Sequence, residues 1–192
     1  MAIRYRREIN AQQILVVAPE SYLLLMRSTA AIDSLGLSIM DARVHLTRSG
    51  MSILVFIVSA EDTVGDAAMA QQTSTLRDFL LNPPAKYRPV SRNLPRVMKQ
   101  FQVPTVVTFA DNEQLGHTTM EVISQDRPGL LYLVSMALVE CRIKLKSAKI
   151  STVGEKAEDT FLITDRDGNP VSDPAQKKRL ETLIKSYLEQ NA

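Results

Sequence analysis

The sequence predicts an α+β fold made of two similar modules, each an antiparallel sheet of four to five strands with two helices on one face. Its 192 residues are enough for two small domains. A composition of 45% hydrophobic and 23% charged residues is ordinary for a globular chain and excludes a disordered or collagen-like protein. The most informative observation is an internal repeat, since the same order of strands and helices occurs twice.

The repeat has a register of 106 residues without gaps. Residues 14–58 then align with residues 120–164, and 18 of these 45 pairs are apolar on both sides, against about 13 expected by chance. Matching pairs include Val16/Val122, Leu24/Leu130, Ala42/Ala148 and Ile57/Ile163. The excess is modest, so the repeat depends also on the order of the predicted elements.

The first half contains four predicted strands and two predicted helices. In order they are strands over Ile3–Ile9 and Ile14–Ala18, a helix over Tyr22–Leu35, strands over Ile39–Thr47 and Met51–Ser59, and a helix from about Ala67 to Leu81. Apolar and polar residues alternate in the first strand, and apolar residues recur at helical spacing in the last helix. Gly36 is a helix stop, Ser49-Gly50 is a turn between two strands, and Pro83-Pro84 ends the last helix.

The second half repeats this order. It predicts strands over Val103–Ala110 and His117–Ser124, a helix over Leu130–Cys141, strands over Ile143–Val153 and Ala157–Thr164, and a last helix that begins at Pro174. The segment Asp126-Arg-Pro-Gly separates a strand from a helix, and Pro128 stands where the first residue of a helix favours proline. Gly154-Glu155 and Asp167-Gly168-Asn169 are predicted turns. Asp173 caps the last helix.

A ferredoxin-like module needs one more strand at the edge of its sheet, and only four residues follow Leu188. We therefore expect Val103–Ala110 to form a hairpin with His117–Ser124 and to fill that edge. Ile3–Ile9 is expected to do the same in the first half, so that the repeat unit is ββαββα. The predicted domains are residues 1–82 and 103–192, joined by a linker over residues 83–102.

The predicted linker is basic and has no acidic residue between its cations. These cations are Lys86, Arg88, Arg92, Arg96 and Lys99. Tyr87 and Phe101 are its aromatic residues, which are few for a groove that binds nucleic acid. The composition therefore favours a solvated connector, or one docked on an acidic neighbour.

Several classes of protein and site are disfavoured by what the sequence lacks. The net charge of +2 is too close to balance to indicate nucleic acid as a partner. The single cysteine, Cys141, allows no internal disulfide, and its apolar helical surroundings indicate core packing. Neither His45 nor His117 has further ligands at metal spacing, and no glycine-rich phosphate loop occurs. No stretch approaches the roughly 18 apolar residues of a membrane helix and no signal peptide is evident, so we expect a cytoplasmic protein without a membrane partner.

Four segments carry a resemblance to a known family. They are Asp126-Arg-Pro-Gly-Leu-Leu, Ser147-Ala-Lys-Ile-Ser-Thr-Val-Gly-Glu, Glu158-Asp-Thr-Phe-Leu-Ile-Thr-Asp and, in the first half, Gly36-Leu-Ser-Ile-Met-Asp-Ala-Arg-Val-His. The pattern resembles tandem ACT domains, which are ferredoxin-like modules that commonly bind amino acids and regulate attached enzymes. With the connector Val103-Pro-Thr-Val-Val-Thr-Phe-Ala-Asp-Asn-Glu, it is similar to the carboxy-terminal region of a family of bifunctional uridylyltransferase and uridylyl-removing enzymes that act on the PII signalling protein.

This resemblance implies a regulatory region without a catalytic centre. Enzymes of that family carry a nucleotidyltransferase domain and a metal-dependent phosphohydrolase domain, and neither histidine of this sequence lies in a His-Asp dipeptide. We therefore expect no catalytic residue and no cofactor here, with Mg²⁺ expected for the catalytic domains of such an enzyme. The resemblance further implies that glutamine is the effector and that PII is a partner through the parent enzyme.

The candidate ligand site is the loop before the first helix of the second half. The start of a helix offers unpaired N–H groups and the positive end of the helix dipole, which suit the carboxylate of an amino acid. Gly129 allows a ligand to approach the backbone, and Asp126 can accept a hydrogen bond from its ammonium group. ACT modules often pair edge to edge with ligands at the seam, which would add residues from the first half. The predicted ligand-binding residues are Asp126, Arg127, Pro128, Gly129, Leu130, Leu131, Ser38 and Asp41.

The corresponding loop of the first half departs from this pattern. Glu20-Ser-Tyr-Leu stands where the second half has Asp126-Arg-Pro-Gly, and Tyr22 and Leu23 replace proline and glycine. We therefore expect this loop to be blocked or to bind something else. The competing interpretations are that the second-half loop is only a tight turn and that Asp41 is an exposed surface acid.

Other functions remain open at this point. A stand-alone ACT repeat would bind an amino acid without an attached enzyme. RNA binding on a ferredoxin-like sheet needs aromatic side chains displayed on the central strands, where Phe56 and Phe161 fit a core better. A small hydrolase of the acylphosphatase type needs an arginine in a phosphate-binding loop, for which Arg127 is the candidate. Exposed sheet edges are compatible with a homodimer.

Overall fold

The computed structural model describes residues 1–21, 23–59, 65–84, 87, 103–112, 115–127, 129–153 and 156–190. Its strands are β1 (Ala2–Arg6), β2 (Ala11–Pro19), β3 (Ile39–Leu46), β4 (Met51–Ser59), β5 (Val106–Asn112), β6 (His117–Gln125), β7 (Lys144–Lys149), β8 (Thr152–Val153) and β9 (Lys156–Thr164). Its helices are α1 (Leu24–Ser34), α2 (Asp66–Leu81), α3 (Leu130–Glu140) and α4 (Pro174–Gln190). The predicted ββαββα order holds in both halves, except that the strand predicted over Ile143–Val153 is interrupted to give β7 and β8.

All described strands join one antiparallel sheet. Their order is β1-β2-β4-β3-β7-β9-β6-β5, and the short β8 pairs with β9. The first four positions come from the first half and the others from the second, so two ferredoxin-like modules lie edge to edge. Both predicted hairpins are confirmed, because β1 pairs with β2 and β5 pairs with β6 at the two outer edges.

The two modules meet where β3 pairs with β7 through Arg43 and Lys149. We call this junction the seam. The two strands are antiparallel, so the start of β3 lies near the end of β7, and the end of β3 lies near the start of β7. Each end of the seam therefore combines backbone from both modules.

Matching irregularities in the two halves support the repeat. β3 has a bulge between Ile39 and Asp41, and β7 has a bulge between Leu145 and Ser147. Both positions are separated by the same 106 residues. A bulge bends its strand and increases the local twist, so the two strands at the seam have the same shape.

The register of 106 residues fails in the strands that follow the bulges. The cross-strand pairs that show this are Ile14–Phe56 and Met120–Phe161. Phe56 and Phe161 are thus structurally equivalent at a spacing of 105, because the connection between the two strands is one residue shorter in the second half. The predicted pairing of Ile57 with Ile163 is wrong, since Ile163 is fully buried and Ile57 lies on the opposite face of its strand.

The helices cover one face of the sheet. They contact each other in the order α2-α1-α3-α4, with α1 and α3 packed together across the seam. Buried residues alternate along the strands, and Phe56 and Phe161 are both 0% exposed on the helix side. Their predicted place in the core is confirmed, and neither ring is displayed for stacking on a base.

Tyr87 belongs to the predicted linker but lies in the helix layer. Its hydroxyl donates to Asp33 Oδ2 at 2.5 Å, and its ring packs edge-on against Phe79 and Tyr132, with centroid distances of 5.8 and 5.0 Å. Asp33 lies in α1 and Tyr132 in α3, so this side chain connects the two modules. The basic residues of the linker lie outside the described residues, and their predicted role stays a prediction.

The other predicted boundaries are close to the observed ones. The first helix begins at Leu24 instead of Tyr22, which lies outside the described residues, and the end of the predicted first strand is a 3-10 turn over Arg7–Ile9. The predicted cap at Asp173 is confirmed, because its Oδ1 accepts a hydrogen bond from the backbone N–H of Ala175 at 2.9 Å. The turn predicted at Gly154-Glu155 lies outside the described residues.

Candidate functional site

The loop between β6 and α3 presents the start of a helix without a side-chain cap. Gly129 precedes the helix in the left-handed region at φ 74°, a conformation that favours glycine. Among the described residues, no side chain accepts a hydrogen bond from the first turn of α3. Leu130 N–H donates to the carbonyl of Arg127 at 3.3 Å. The next amides, of Leu131 and Tyr132, lie in the part of a helix that has no intrahelical acceptor, and they mark the positive end of its dipole.

Arg127 ties this loop to the end of α4. Its Nη2 donates to the backbone carbonyl of Tyr187 at 3.2 Å, near the carboxyl end of that helix, where a cation is favoured. Burial lowers the pKa of Arg127, and its Nε is buried without a partner among the described residues. A guanidinium held in this way is poorly placed to bind a phosphate, which disfavours the acylphosphatase hypothesis. Pro128, the neighbouring predicted site residue, lies outside the described residues.

Two carboxyl groups are associated with the loop: Asp126 belongs to it, and Asp159 lies on the neighbouring strand β9. Burial raises the pKa of Asp126, although a backbone hydrogen bond at Arg127 opposes the shift. The Asp159 side chain comes from β9 and is only 1% exposed. Burial raises its pKa to about 7, the negative charge of Asp126 adds to that shift, and the hydrogen bond from Ser151 opposes it.

Asp159 has one satisfied and one unsatisfied oxygen. Its Oδ1 accepts a hydrogen bond from the backbone N–H of Ser151 at 3.3 Å, whereas Oδ2 is buried without a partner in the described part of the chain. The Ser124 hydroxyl, on β6, is also buried and without a partner among those residues. Sequence reasoning missed Asp159, although strand periodicity places it on the same face as Phe161 and therefore toward the core.

The sheet register brings the predicted first-half segment to the same end of the molecule. β6 ends opposite the start of β9, at Gln125 and Lys156, and the start of β3 reaches the same end through the seam. Ser38 is fixed there, because its N–H donates to the Ser59 hydroxyl at 3.2 Å. The loop and the Ser38–Asp41 segment thus share one end of the seam.

Asp41 differs from the rest of the predicted set in its orientation. It pairs with Ile57, whereas Ala42 pairs with the buried Phe56, so Asp41 lies on the face of the sheet away from the helices. Its Oδ2 lies 3.6 Å from Arg43 Nε, and its Oδ1 is buried without a partner among the described residues. A direct role for Asp41 in ligand binding stays a prediction.

The opposite end of the seam contains a small cavity that the sequence did not indicate. Its volume is about 40 Å³, and both modules line it. The first half contributes Glu20 and Ser21 from the loop before α1 and Leu24 from the first turn of α1, and the second half contributes Lys144 and Leu145 from the start of β7. Lys144 is the equivalent of Ser38 at a spacing of 106, so this cavity has the predicted combination of a loop from one module and a strand start from the other.

The first-half loop lines this cavity, and the expectation that it is blocked or binds something else stays a prediction. Its geometry nevertheless differs from that of the second half, because Leu23 precedes α1 in the right-handed region at φ −87°. Leu23 N–H donates to the Ser21 hydroxyl at 3.2 Å, and Leu24 N–H donates to the Ser21 carbonyl at 3.1 Å.

Within the described residues, neither the cysteine nor any cluster of metal-ligating side chains forms a second candidate site. Cys141 is buried, and burial raises the pKa of its thiol, as expected for core packing instead of nucleophilic chemistry. The described residues contain no group of three or more His, Cys, Asp or Glu side chains arranged to hold a metal ion. None of the helices in the described part of the chain combines the length and apolar character that crossing a membrane requires.

Comparisons with known proteins give consistent matches. A family described as "ACR9-like, ACT-like domain" matches residues 106–191. Bifunctional uridylyltransferase/uridylyl-removing enzymes match nearly the whole chain. The enzyme of Pseudomonas putida is 35% identical over 181 residues, which are 92% of this chain and 20% of the relative. The enzyme of Methylococcus capsulatus is 37% identical over 168 residues, which are 86% of this chain and 19% of the relative.

The chain thus spans about one fifth of the length of the curated relatives it matches. A solved structure titled as an unknown protein from Galdieria sulphuraria covers 94% of this chain and 92% of its own. At 11% identity and a TM-score of 0.32, that likeness supports no argument.

Proposed function

We propose that this chain is an amino-acid-sensing regulatory region built of two ACT modules, because its second module matches an ACT-like family model and the chain is similar to one fifth of the bifunctional uridylyltransferase/uridylyl-removing enzymes. The observation that supports the proposal is the seam: at one end a cavity is lined by the loop of one module and the strand start of the other, and the sheet register brings the equivalent loop and strand start to the other end. A ligand bound there contacts both modules. Its binding therefore depends on how the modules are packed.

The second-half end of the seam has the chemistry that a free amino acid needs. The amides that begin α3 suit the ligand carboxylate, and the Asp126 and Asp159 carboxyl groups suit its ammonium. Gly129 has no side chain that could cover the amides at the start of α3. Both ends of one zwitterion are then bound within a single loop and the strand beneath it.

Regulation follows from a difference in ligand affinity between two packings of the modules. An effector shifts such an equilibrium only as far as it prefers one packing over the other, and reciprocally the attached domains alter its affinity. α1 and α3 pack across the seam and Tyr87 connects both modules. A change at the seam would therefore be transmitted to the helix layer.

The proposals for the effector, the cellular location and the parent enzyme follow from the resemblance. We propose glutamine as the effector, a cytoplasmic location, and a parent enzyme that adds and removes uridylyl groups on the PII protein in nitrogen signalling. The relatives are named for both activities. This chain would supply the sensing and not the catalysis.

A thermal-shift screen of the twenty amino acids tests the proposal. A ligand at a hundred times its dissociation constant stabilises the folded state by about 2.7 kcal/mol. For a chain of this size that raises the melting temperature by roughly 5–10 °C. We expect glutamine to give the largest shift, and no shift with any amino acid would contradict the proposed function.

A further inference from the structure

Asp159 is a buried acid that the packing of the fold does not require. It lies in β9, which also carries the core residues Phe161 and Ile163 on the same face. At the corrected spacing of 105, its equivalent in the first half is Leu54, which is 1% exposed. The same position therefore holds an ordinary core residue in one module and a carboxyl group in the other.

Burying a carboxyl group at this position is unfavourable unless its hydrogen-bonding capacity is used. A buried polar group without a partner costs about 1–3 kcal/mol, and a buried charge costs more. The backbone N–H of Ser151 satisfies Oδ1 only, and Oδ2 has no partner among the described residues. Arg127, the cation in the loop, donates to the Tyr187 carbonyl and not to Asp159. The first-half module shows that leucine at this position is compatible with the fold.

The first half also indicates where this side chain points. Leu54 lines the cavity at its own end of the seam, together with Glu20 and Ser21 of the loop before α1. The equivalents of these three residues are Asp159, Asp126 and Arg127. Asp126 follows directly on β6, whose last residue Gln125 pairs with Lys156 of β9, so the strand register places the two carboxyl groups at the same end of the sheet.

We propose that Asp159 is a specificity-determining residue of the second-half site, and that its Oδ2 accepts a hydrogen bond from the ammonium group of a bound amino acid. This inference rests on the proposed function. An ammonium group has three donors, so one ligand can reach both Asp126 and Asp159. The site selects amino acids over carboxylic acids that lack the ammonium group. The first end of the seam, with Leu54, lacks this selectivity.

A double-mutant cycle between protein and ligand tests the inference. Glutamine and glutaramate, which is glutamine without its ammonium group, are titrated by calorimetry into the wild type, Asp159→Asn and Asp159→Leu. For the wild type we expect glutamine to bind at least about a hundredfold more tightly than glutaramate. For Asp159→Leu we expect this preference for glutamine to fall at least about tenfold, because one of the two acceptors of the ammonium group is gone.

Glu158→Gln is the matched control. It removes the same charge from the neighbouring residue, whose side chain is exposed and pairs with Lys156 at 2.6 Å. We expect this variant to keep the preference of the wild type for glutamine. Urea unfolding checks that Asp159→Leu is folded, as the leucine at the equivalent first-half position predicts.

The outcomes separate the two proposals. Failure of the wild type to bind glutamine contradicts the proposed function, and the role of Asp159 with it. Binding by the wild type with an undiminished preference for glutamine in both Asp159 variants overturns the role of Asp159 alone.

Discussion

Replacing Asp159 with asparagine should flatten the pH dependence of the stability of this chain. The pKa of the Asp159 carboxyl is about 7 in the folded protein, compared with an ordinary value of 3.8 for the unfolded chain. Between these values the folded state holds a proton that the unfolded state releases. The stabilisation that Asp159 contributes is therefore fully present below its pKa in the unfolded chain, and it is lost as the pH rises through its pKa in the folded protein.

The magnitude follows from the same two values. At about pH 5 the folded carboxyl is protonated and the unfolded one is ionised, which favours folding by about 2–3 kcal/mol at 1.36 kcal/mol per pKa unit. At about pH 8 the carboxyl is ionised in both states and this contribution is close to zero. The free energy of unfolding of the wild type should thus fall by that amount relative to Asp159→Asn over this interval.

Urea unfolding followed by circular dichroism at the two pH values measures this difference. Using the variant as the reference removes the contribution of the other titrating groups. Glu158→Gln, on the exposed face of β9, should retain the pH dependence of the wild type. Parallel pH profiles for the wild type and Asp159→Asn would refute the reasoning, because Asp159 would then titrate alike in both states.

Two further predictions concern stability. Tyr87→Phe removes a hydrogen bond to the buried Asp33 and should cost about 1.5–3 kcal/mol in urea unfolding, whereas Tyr5→Phe, with an exposed hydroxyl, should cost less than about 0.5 kcal/mol; equal losses would contradict the role of Tyr87 between the modules. Arg142 adopts φ 55°, while the equivalent first-half residue is Gly36 at φ 74°. Arg142→Gly should therefore raise the free energy of unfolding by about 0.5 kcal/mol, because relief of left-handed strain exceeds the added entropy of the unfolded chain; a loss of that size would show that no strain is relieved.

The local pattern of apolar and polar residues was sufficient to predict most of the fold. Apolar residues at helical spacing predicted α2, and the need of each ferredoxin-like module for one more edge strand predicted the two edge hairpins. The position of the break in the second half could not be predicted, because Ile150 continues the apolar alternation of β7 up to Thr152 without an evident interruption. Separation of β7 from β8 depends on their pairing with β9, which is a long-range property.

The candidate site was only partly predictable for a related reason. Gly129 follows from the local loop sequence, and its left-handed φ is a conformation that favours glycine. Asp159 was missed because the gap-free register aligned it with Ile53, which lies on the face of the sheet away from the helices. In addition, a charged residue in a strand usually faces water. The cavity with Lys144 was missed because it joins residues more than a hundred positions apart, which no single segment indicates.

The measurement that tests the seam site most directly is calorimetric titration of glutamine into the wild type, Gly129→Leu and Gly116→Leu. Gly116 is the matched control, since its φ of 64° gives comparable backbone strain, an added Cβ meets no atom within 4 Å, and it lies at the other end of β6. We predict that the wild type and Gly116→Leu bind glutamine with the same affinity. Gly129→Leu should bind at least about a hundredfold more weakly, because its side chain occupies the approach to the α3 amides. Unchanged affinity in Gly129→Leu would contradict the account.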